Sequence, residues 1–266
     1  MASLSIYRVL LAAQLRAQTS YRGSFAIDLA ANALIPIIDL AAVVVLFQVT
    51  PSLGGFSPAE VLVIFGLSAT SFALADLVVG NIERIRLYVR LGTLDAALVR
   101  PLSVLGQMLS LDFTIRRAAR LAVAVSILAV AVWRADVTFS PARMALLLAA
   151  PLTGALFFAA VFVATATVAF WWIDSGEVAN SFTYGGRDFT SYPITVYGDA
   201  FRRVFAYALG FAFVGYYPAL ALLGRADPIG LPAWVGWSSP VVAVSAACLA
   251  AVVWRFGIRH YRSTGS

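Results

Sequence analysis

The chain reads as an all-α integral membrane protein with about six transmembrane helices, and three observations carry that reading. Of its 266 residues, 61% are hydrophobic and only 12% are charged, about half the charge of ordinary soluble domains. Apolar stretches approaching the roughly 20 residues that cross the hydrocarbon core recur along its length. Arg and Trp gather between those stretches and at their ends, where the membrane–water interface would fall.

The first 22 residues do not fit a signal peptide, because Arg8 and Arg16 interrupt the apolar positions Ile6, Leu10, Leu11 and Leu15. Their spacing predicts an amphipathic helix over about 3–22, lying on the inner membrane face. A first span follows over about 25–47, containing Asp28, Pro36 and Asp39. A short outer loop with Pro51, Gly54 and Gly55 leads to a second span over about 58–80, with Asp76 near its inner end. A third span is expected over about 115–133, with Arg116, Arg117 and Arg120 snorkelling inward. The fourth, over about 144–172, is uncharged from Met144 to Ile173 and longer than the membrane needs, which predicts tilt, an emergent end or a kink at Pro151.

Residues 174–203 are polar and read as a second inner loop. A fifth span over about 204–217 is interrupted by Tyr216, Tyr217 and Pro218, after which a short re-entrant segment precedes a sixth span over about 240–254. With both termini inside, sixteen of the nineteen basic residues fall on the inner side and three (Arg134, Arg143, Arg225) outside, in keeping with the positive-inside rule. Trp133, Trp234 and Trp237 fall at outer boundaries; Trp171, Trp172 and Trp254 fall at inner ones. No linker divides the chain, so 1–266 is one membrane domain.

Several kinds of chemistry are excluded. Every basic residue is Arg, so no Lys is present to reach nucleotide phosphates from a phosphate-binding loop, and the chain is not itself a Walker-type ATPase. Cys248 is the sole cysteine and sits in the apolar run 241–253, which reads as a buried small residue; no disulfide or thiolate cluster can form. His260, the only histidine, lacks the partners of a metal site and reads as a surface residue. No nucleophile–base pair is evident. The net charge of +6 is explained by membrane orientation and does not point to nucleic acid.

Two acids fall within spans. Asp39 lies near mid-membrane, where an acid costs roughly 2.5–3.5 kcal/mol on insertion scales and must face protein or water. It is either a polar point on a translocation path or a hydrogen-bonding group between helices. Asp76 is closer to the interface and reads as a structural partner of Arg84 or Arg86. A membrane aspartyl enzyme built on Asp39 and Asp76 is the formal alternative.

The inner segment 81–103 carries the clearest pattern. Glu83, Arg86 and Arg90 share one helical face and Ile82, Ile85 and Val89 another, with breaks at Gly92 and Pro101. A short amphipathic helix held on the inner face would suit docking of another protein; an ordinary interfacial loop would carry the same pattern.

The run Gly92-Thr-Leu-Asp-Ala-Ala-Leu-Val-Arg-Pro-Leu102 resembles the Gly-x-Leu-Asp…Leu-x-Arg-Pro-Leu signature of one branch of type 2 ABC exporter permeases. Phe189-Thr-Ser-Tyr-Pro-Ile-Thr-Val-Tyr197 and Tyr216-Tyr-Pro-Ala-Leu-Ala-Leu-Leu-Gly224 are similar to that branch's elements on either side of its fifth span. The resemblance implies a six-helix permease with a cytosolic coupling helix between spans two and three. It also implies a smaller coupling element between spans four and five, and re-entrant structure before span six.

It further implies two separate ATPase subunits, which hold the ATP and Mg while this chain binds no cofactor, and a second permease, more often a different chain than an identical one. The setting would be a bacterial plasma membrane with its lipids. On that basis Glu83, Arg86, Arg90, Asp95 and Arg100 are candidates for contact with the ATPase. Gly92 and Pro101 would shape the first loop, and Tyr192, Pro193 and Tyr197 the second coupling element. A secondary transporter or a non-transport membrane scaffold is the competing class, although no pair of similarly broken helices suggests the inverted repeats of the former.

Overall fold

A computed structural model describes residues 22–111 and 115–261; the interfacial helix expected over 3–22 lies outside them but for its last residue. The described chain is helical, and its only β-type pairing is an isolated bridge between Leu53 and Phe56. Its α-helices are α1 (Arg22–Val49), α2 (Pro58–Val79), α3 (Ile85–Arg90), α4 (Thr93–Leu98), α5 (Val104–Leu111), α6 (Arg117–Arg134), α7 (Pro141–Thr167), α8 (Gly176–Thr190), α9 (Tyr216–Leu223) and α10 (Ser239–His260), with one further helical turn at Asp199–Phe201.

Among the described residues, four helical tracts are long and apolar enough to cross a membrane: Gly23–Val49, Pro58–Arg90, Pro141–Phe170 and Ser239–His260. The second and third extend α2 and α7 through 3₁₀ turns at Gly80–Arg84 and Val168–Phe170. Helix α6 runs beside α2 but carries Arg117, Arg120 and Arg134. Helix α7 continues through Pro151 unbroken.

Helix α2 is the centre of the packing. Ser57 caps its first turn reciprocally with Glu60, and Pro58 takes the first helical position, where a missing N–H costs nothing. Its buried residues span the whole circumference, from Val61 to Val79, as expected of a helix surrounded by others. Gly66 lets α6 approach so closely that a Cβ there would lie 2.8 Å from the Leu128 Cα. On another face Phe72 meets Phe158 and Phe162 of α7 at 5.2 and 5.6 Å and Tyr184 of α8 at 5.4 Å between ring centroids. Helix α10 covers α7, with Gly257 against Thr167, Phe170 and Trp171.

Helix α8 requires a correction. Its stretch was expected to be an inner loop together with the rest of 174–203. Instead the segment 176–195 leads from the Arg-rich end to the opposite end, with α8 itself reaching the level of mid-α2. Its first residue, Gly176, lies under the Arg86 guanidinium, and Ser68, midway along α2, meets Thr190 hydroxyl to hydroxyl. Beyond it, Thr195 donates to the Gly54 carbonyl at 2.8 Å, in the loop joining α1 and α2. The loop around Gly54 and the residues 192–197 therefore share one end, whereas the sequence had placed them on opposite sides.

The expected fifth span over 204–217 is not one helix. A π-helical stretch, Arg202–Ala208, breaks at Gly210 in the left-handed region (φ +84°), and the flanking helical pieces Asp199–Ala208 and Phe211–Leu223 meet at 64°. The pair starts just past Thr195, and directly after it Arg225 reaches the Gly55 carbonyl at 2.6 Å and Glu60 at 2.5 Å. Both ends therefore sit at the same end of the bundle. Between them the chain dips inward until a Cβ on Gly215 would lie 3.0 Å from the carbonyls of Ile64 and Thr190. This is a re-entrant pair.

Candidate functional site: the polar face of α8 and the segment that grips it

The α8 sequence, GEVANSFTYGGRDFT, alternates polar and small residues with a few aromatics. Its buried side, including Thr183, Gly186, Phe189 and Thr190, packs on α2, α7 and the re-entrant pair. Its open side exposes Glu177, Ser181, Gly185 and Asp188, one per helical turn. A Cβ built on Gly185 meets nothing within 4 Å. The helix thus presents a hydrophilic stripe outward along its length. A run of phenylalanines borders it, with Phe201 stacked on Phe205 at 4.3 Å and Phe205 on Phe182 at 6.2 Å.

Arg187 turns the other way. Its guanidinium pairs with Asp39 of α1 and lies 5.5 Å over the Phe72 ring, and its side chain is only 11% exposed. Asp39 therefore has a basic partner at its own depth, which the sequence reading missed because it had assigned Arg187 to an inner loop. At the Arg-rich end, Asp76 is 1% exposed and bridges Arg117 and Arg120 at 2.9 and 2.8 Å. These, and neither Arg84 nor Arg86, are its partners. Two of the three Arg expected to snorkel are consumed there, and the third, Arg116, pairs with Asp28. Gly80 leaves the room that Arg117 occupies.

The segment 80–101 holds seven of the ten expected coupling residues. Ile82, Ile85 and Val89 are buried beneath it. Gly92, at φ +68°, turns the chain between α3 and α4, a conformation glycine adopts without a side-chain clash. Arg86, Arg90, Arg100 and Pro101 are exposed, and Leu87, Leu91, Leu98 and Val99 stand exposed among them.

Glu83 does not share the outward face of Arg86 and Arg90. Its carboxylate turns inward, accepting from the Tyr184 hydroxyl at 3.4 Å, while its other oxygen is sealed from solvent. Asp95 lies close to Tyr261 past the end of α10. Burial first, and then the Asp95 carboxylate, hold that phenol above its ordinary value. Tyr192, Pro193 and Tyr197 lie at the far end near Gly54 and not at the Arg-rich end. Residues 168–175, which connect α7 to α8, meet α3 through the Arg90–Asp174 pair.

Cys248, read as buried, is exposed on α10. His260 is exposed; its Nδ1 lies 2.8 Å from the Phe256 carbonyl and its ring 4.1 Å from that of Phe256. Among the described residues, no group of three or more His, Cys, Asp or Glu is placed to hold a metal.

Apolar helices around a buried central one, a charged cluster at one end and a re-entrant pair at the other define a multi-pass helical membrane protein. Its distinctive part is a polar helix, α8, packed into the apolar frame and open along one side. Residues 33–265 match the ABC-2 family transporter protein family, and the chain belongs to that family. It is accordingly a membrane component of an ABC transporter and works with ABC ATPase partners. Neither the curated proteins nor the solved structures yield a match to this chain.

Proposed function

We propose that this chain is the membrane-spanning subunit of an ATP-driven exporter in a bacterial plasma membrane, with both termini cytosolic and a translocation path along the polar stripe of α8. The chain crosses six times, through α1, α2, α6, α7, α8 and α10, and the pair at 199–223 enters and leaves from the outer face. The observation that carries this reading is the row Glu177, Ser181, Gly185 and Asp188. In contact with lipid, Asp188, near the depth of Ser68, would cost roughly 2.5–3.5 kcal/mol, so the row faces water, a second protein, or both. A second permease, identical or homologous, set against this stripe would close it into a path. Ser181 and Gly185, small and four residues apart, favour close approach of such a partner.

Two ATPase subunits, holding ATP and Mg, dock at the Arg-rich end. The exposed Leu87, Leu91, Leu98 and Val99, with Arg100 and Pro101 beside them, offer an apolar patch with a charged margin. Asp39 stands behind the path, holding Arg187.

The test uses the complex co-purified with its ATPase in lipid nanodiscs. Cysteines placed singly at Ser181 and Gly185, after Cys248 is replaced, should react with a water-soluble maleimide in at least one nucleotide state. Inside-out vesicles should accumulate substrate with ATP. Cysteines that stay inert with and without nucleotide would overturn the path, and uptake into right-side-out vesicles would reverse the direction.

A further inference from the structure

The charged side chains Glu83, Arg86 and Arg90, which by pattern alone suit an ATPase, each reach toward α8, Glu83 from within and the two Arg across the exposed surface. The Tyr184 hydroxyl donates to Glu83, the Arg86 guanidinium lies directly over Gly176, and Arg90 pairs with Asp174 two residues earlier. The contact over Gly176 is so close that any Cβ there would collide with Arg86. Two adjoining cavities, of about 220 and 600 Å³, open along this seam, and Glu83 and Arg86 line both. The seam is therefore joined at three points with free volume between them.

We propose that this face is a drive linkage to α8 and not the docking surface, so that the tip at Leu87, Leu91, Leu98 and Val99 receives the ATPase and the Glu83–Arg86–Arg90 face passes its displacement to the path-lining helix. The inference rests on the α8 path described above. The geometry favours it because these contacts join the segment to residues 174–184, ahead of the glycine pair 185–186, whereas the residues beyond that pair are held by others: Arg187 by Asp39 of α1, and Thr190 by Ser68 of α2. Pushing the segment would shift the lower part of α8 against a fixed upper part. Gly185 and Gly186, side by side between the two parts, are where a helix bends most readily. Tyr184 and Gly176 are then positioning residues for transport, a role that nothing in their own sequence pattern suggests.

Charge-swap rescue separates linkage from docking. Arg90→Asp alone should leave co-purification with the ATPase unchanged and lower transport per ATP hydrolysed severalfold. Arg90→Asp with Asp174→Arg should restore it. A contact from Arg90 to the ATPase cannot be repaired from Asp174, so a double variant as defective as the single one overturns the linkage. The buried contact gives an independent measurement: Glu83→Leu should uncouple hydrolysis from transport, while Glu83→Gln, which still accepts from Tyr184, should not.

Equal coupling ratios in Glu83→Leu, Tyr184→Phe and the parent would also overturn the proposal. Loss of ATPase co-purification in Arg90→Asp would return this face to docking. If the parent complex itself transports nothing although maleimide reaches Ser181→Cys, the exporter reading fails and takes the linkage with it. Unchanged coupling in variants of a transporting parent removes the linkage alone.

Discussion

Helices α2 and α8 run side by side through the same bundle and touch at Ser68 and Thr190, yet they are built on opposite rules. Helix α2 is mostly apolar and is buried around its whole circumference along most of its length. Helix α8 is polar, keeps one face open, and relies on α2, α7 and the re-entrant pair for its apolar contacts. Apolarity thus marks the helices that form the frame. A helix enclosed by that frame, or closed over by a partner, can carry charge, because its surroundings replace the lipid that would forbid it.

The sharpest way to break this contrast is to ask whether α8 crosses at all. Single cysteines at Asp174 and Val196, in a background lacking Cys248, should label from opposite sides of intact cells: Val196→Cys from outside and Asp174→Cys only after permeabilisation. Labelling of both from the same side would return 174–203 to a loop. Next come the two glycines. Gly66→Leu drives a side chain into the α6 backbone and should destabilise the protein by roughly 1–3 kcal/mol or prevent its recovery from detergent. Gly185→Leu meets open space and should leave the melting temperature unchanged while blocking transport or the pairing of permeases, read by vesicle uptake and by cross-linking.

The ion pairs grade the same contrast. Asp76→Asn strands Arg117 and Arg120 and should cost roughly 3–5 kcal/mol, whereas Asp188→Asn on the open face should stay within about 0.5 kcal/mol. Asp39→Asn falls between, at about 1–3 kcal/mol, because Asp39 is partly exposed while Arg187 is nearly buried. Adding Arg187→Gln should recover much of the loss. If Asp39→Asn leaves stability untouched and changes only which compounds are moved, Asp39 belongs to the path. The smallest effect expected is from Arg134→Glu at the far end, with ATPase co-purification and hydrolysis both unaltered.

The frame was legible because α1, α2, α7 and α10 announce themselves by apolar length, and Trp and Arg mark their ends. Helix α8 was not, because Glu177, Asn180, Arg187 and Asp188 make it resemble any surface segment. Its one available signal was periodic: Glu177, Ser181, Gly185 and Asp188 recur at helical spacing opposite Thr183, Gly186 and Thr190. The checks on topology could not expose the error. On the proposed topology, replacing a single span over 204–217 with α8 and a re-entrant pair keeps the number of crossings and the side of each terminus. Moving Arg187 to mid-depth and Arg202 and Arg203 outward still leaves thirteen Arg assigned inside against five outside. Glu83 was misjudged for a different reason. A helical wheel groups it with Arg86 and Arg90, but the 3₁₀ turn at Gly80–Arg84 rotates it inward relative to an ideal α-helix.

Arg225 has consequences beyond its own contacts. Its guanidinium holds Glu60, the Gly55 carbonyl and the face of Phe56, 4.0 Å from the ring centroid, so the exit of the re-entrant pair is fastened to the hairpin between α1 and α2. Two stretches some 165 positions apart therefore form a single cap. In inheritance and in engineering alike they are one cassette: a hybrid permease that takes residues 50–60 from one parent and 199–227 from another brings together two halves of a fastening that were never fitted to each other.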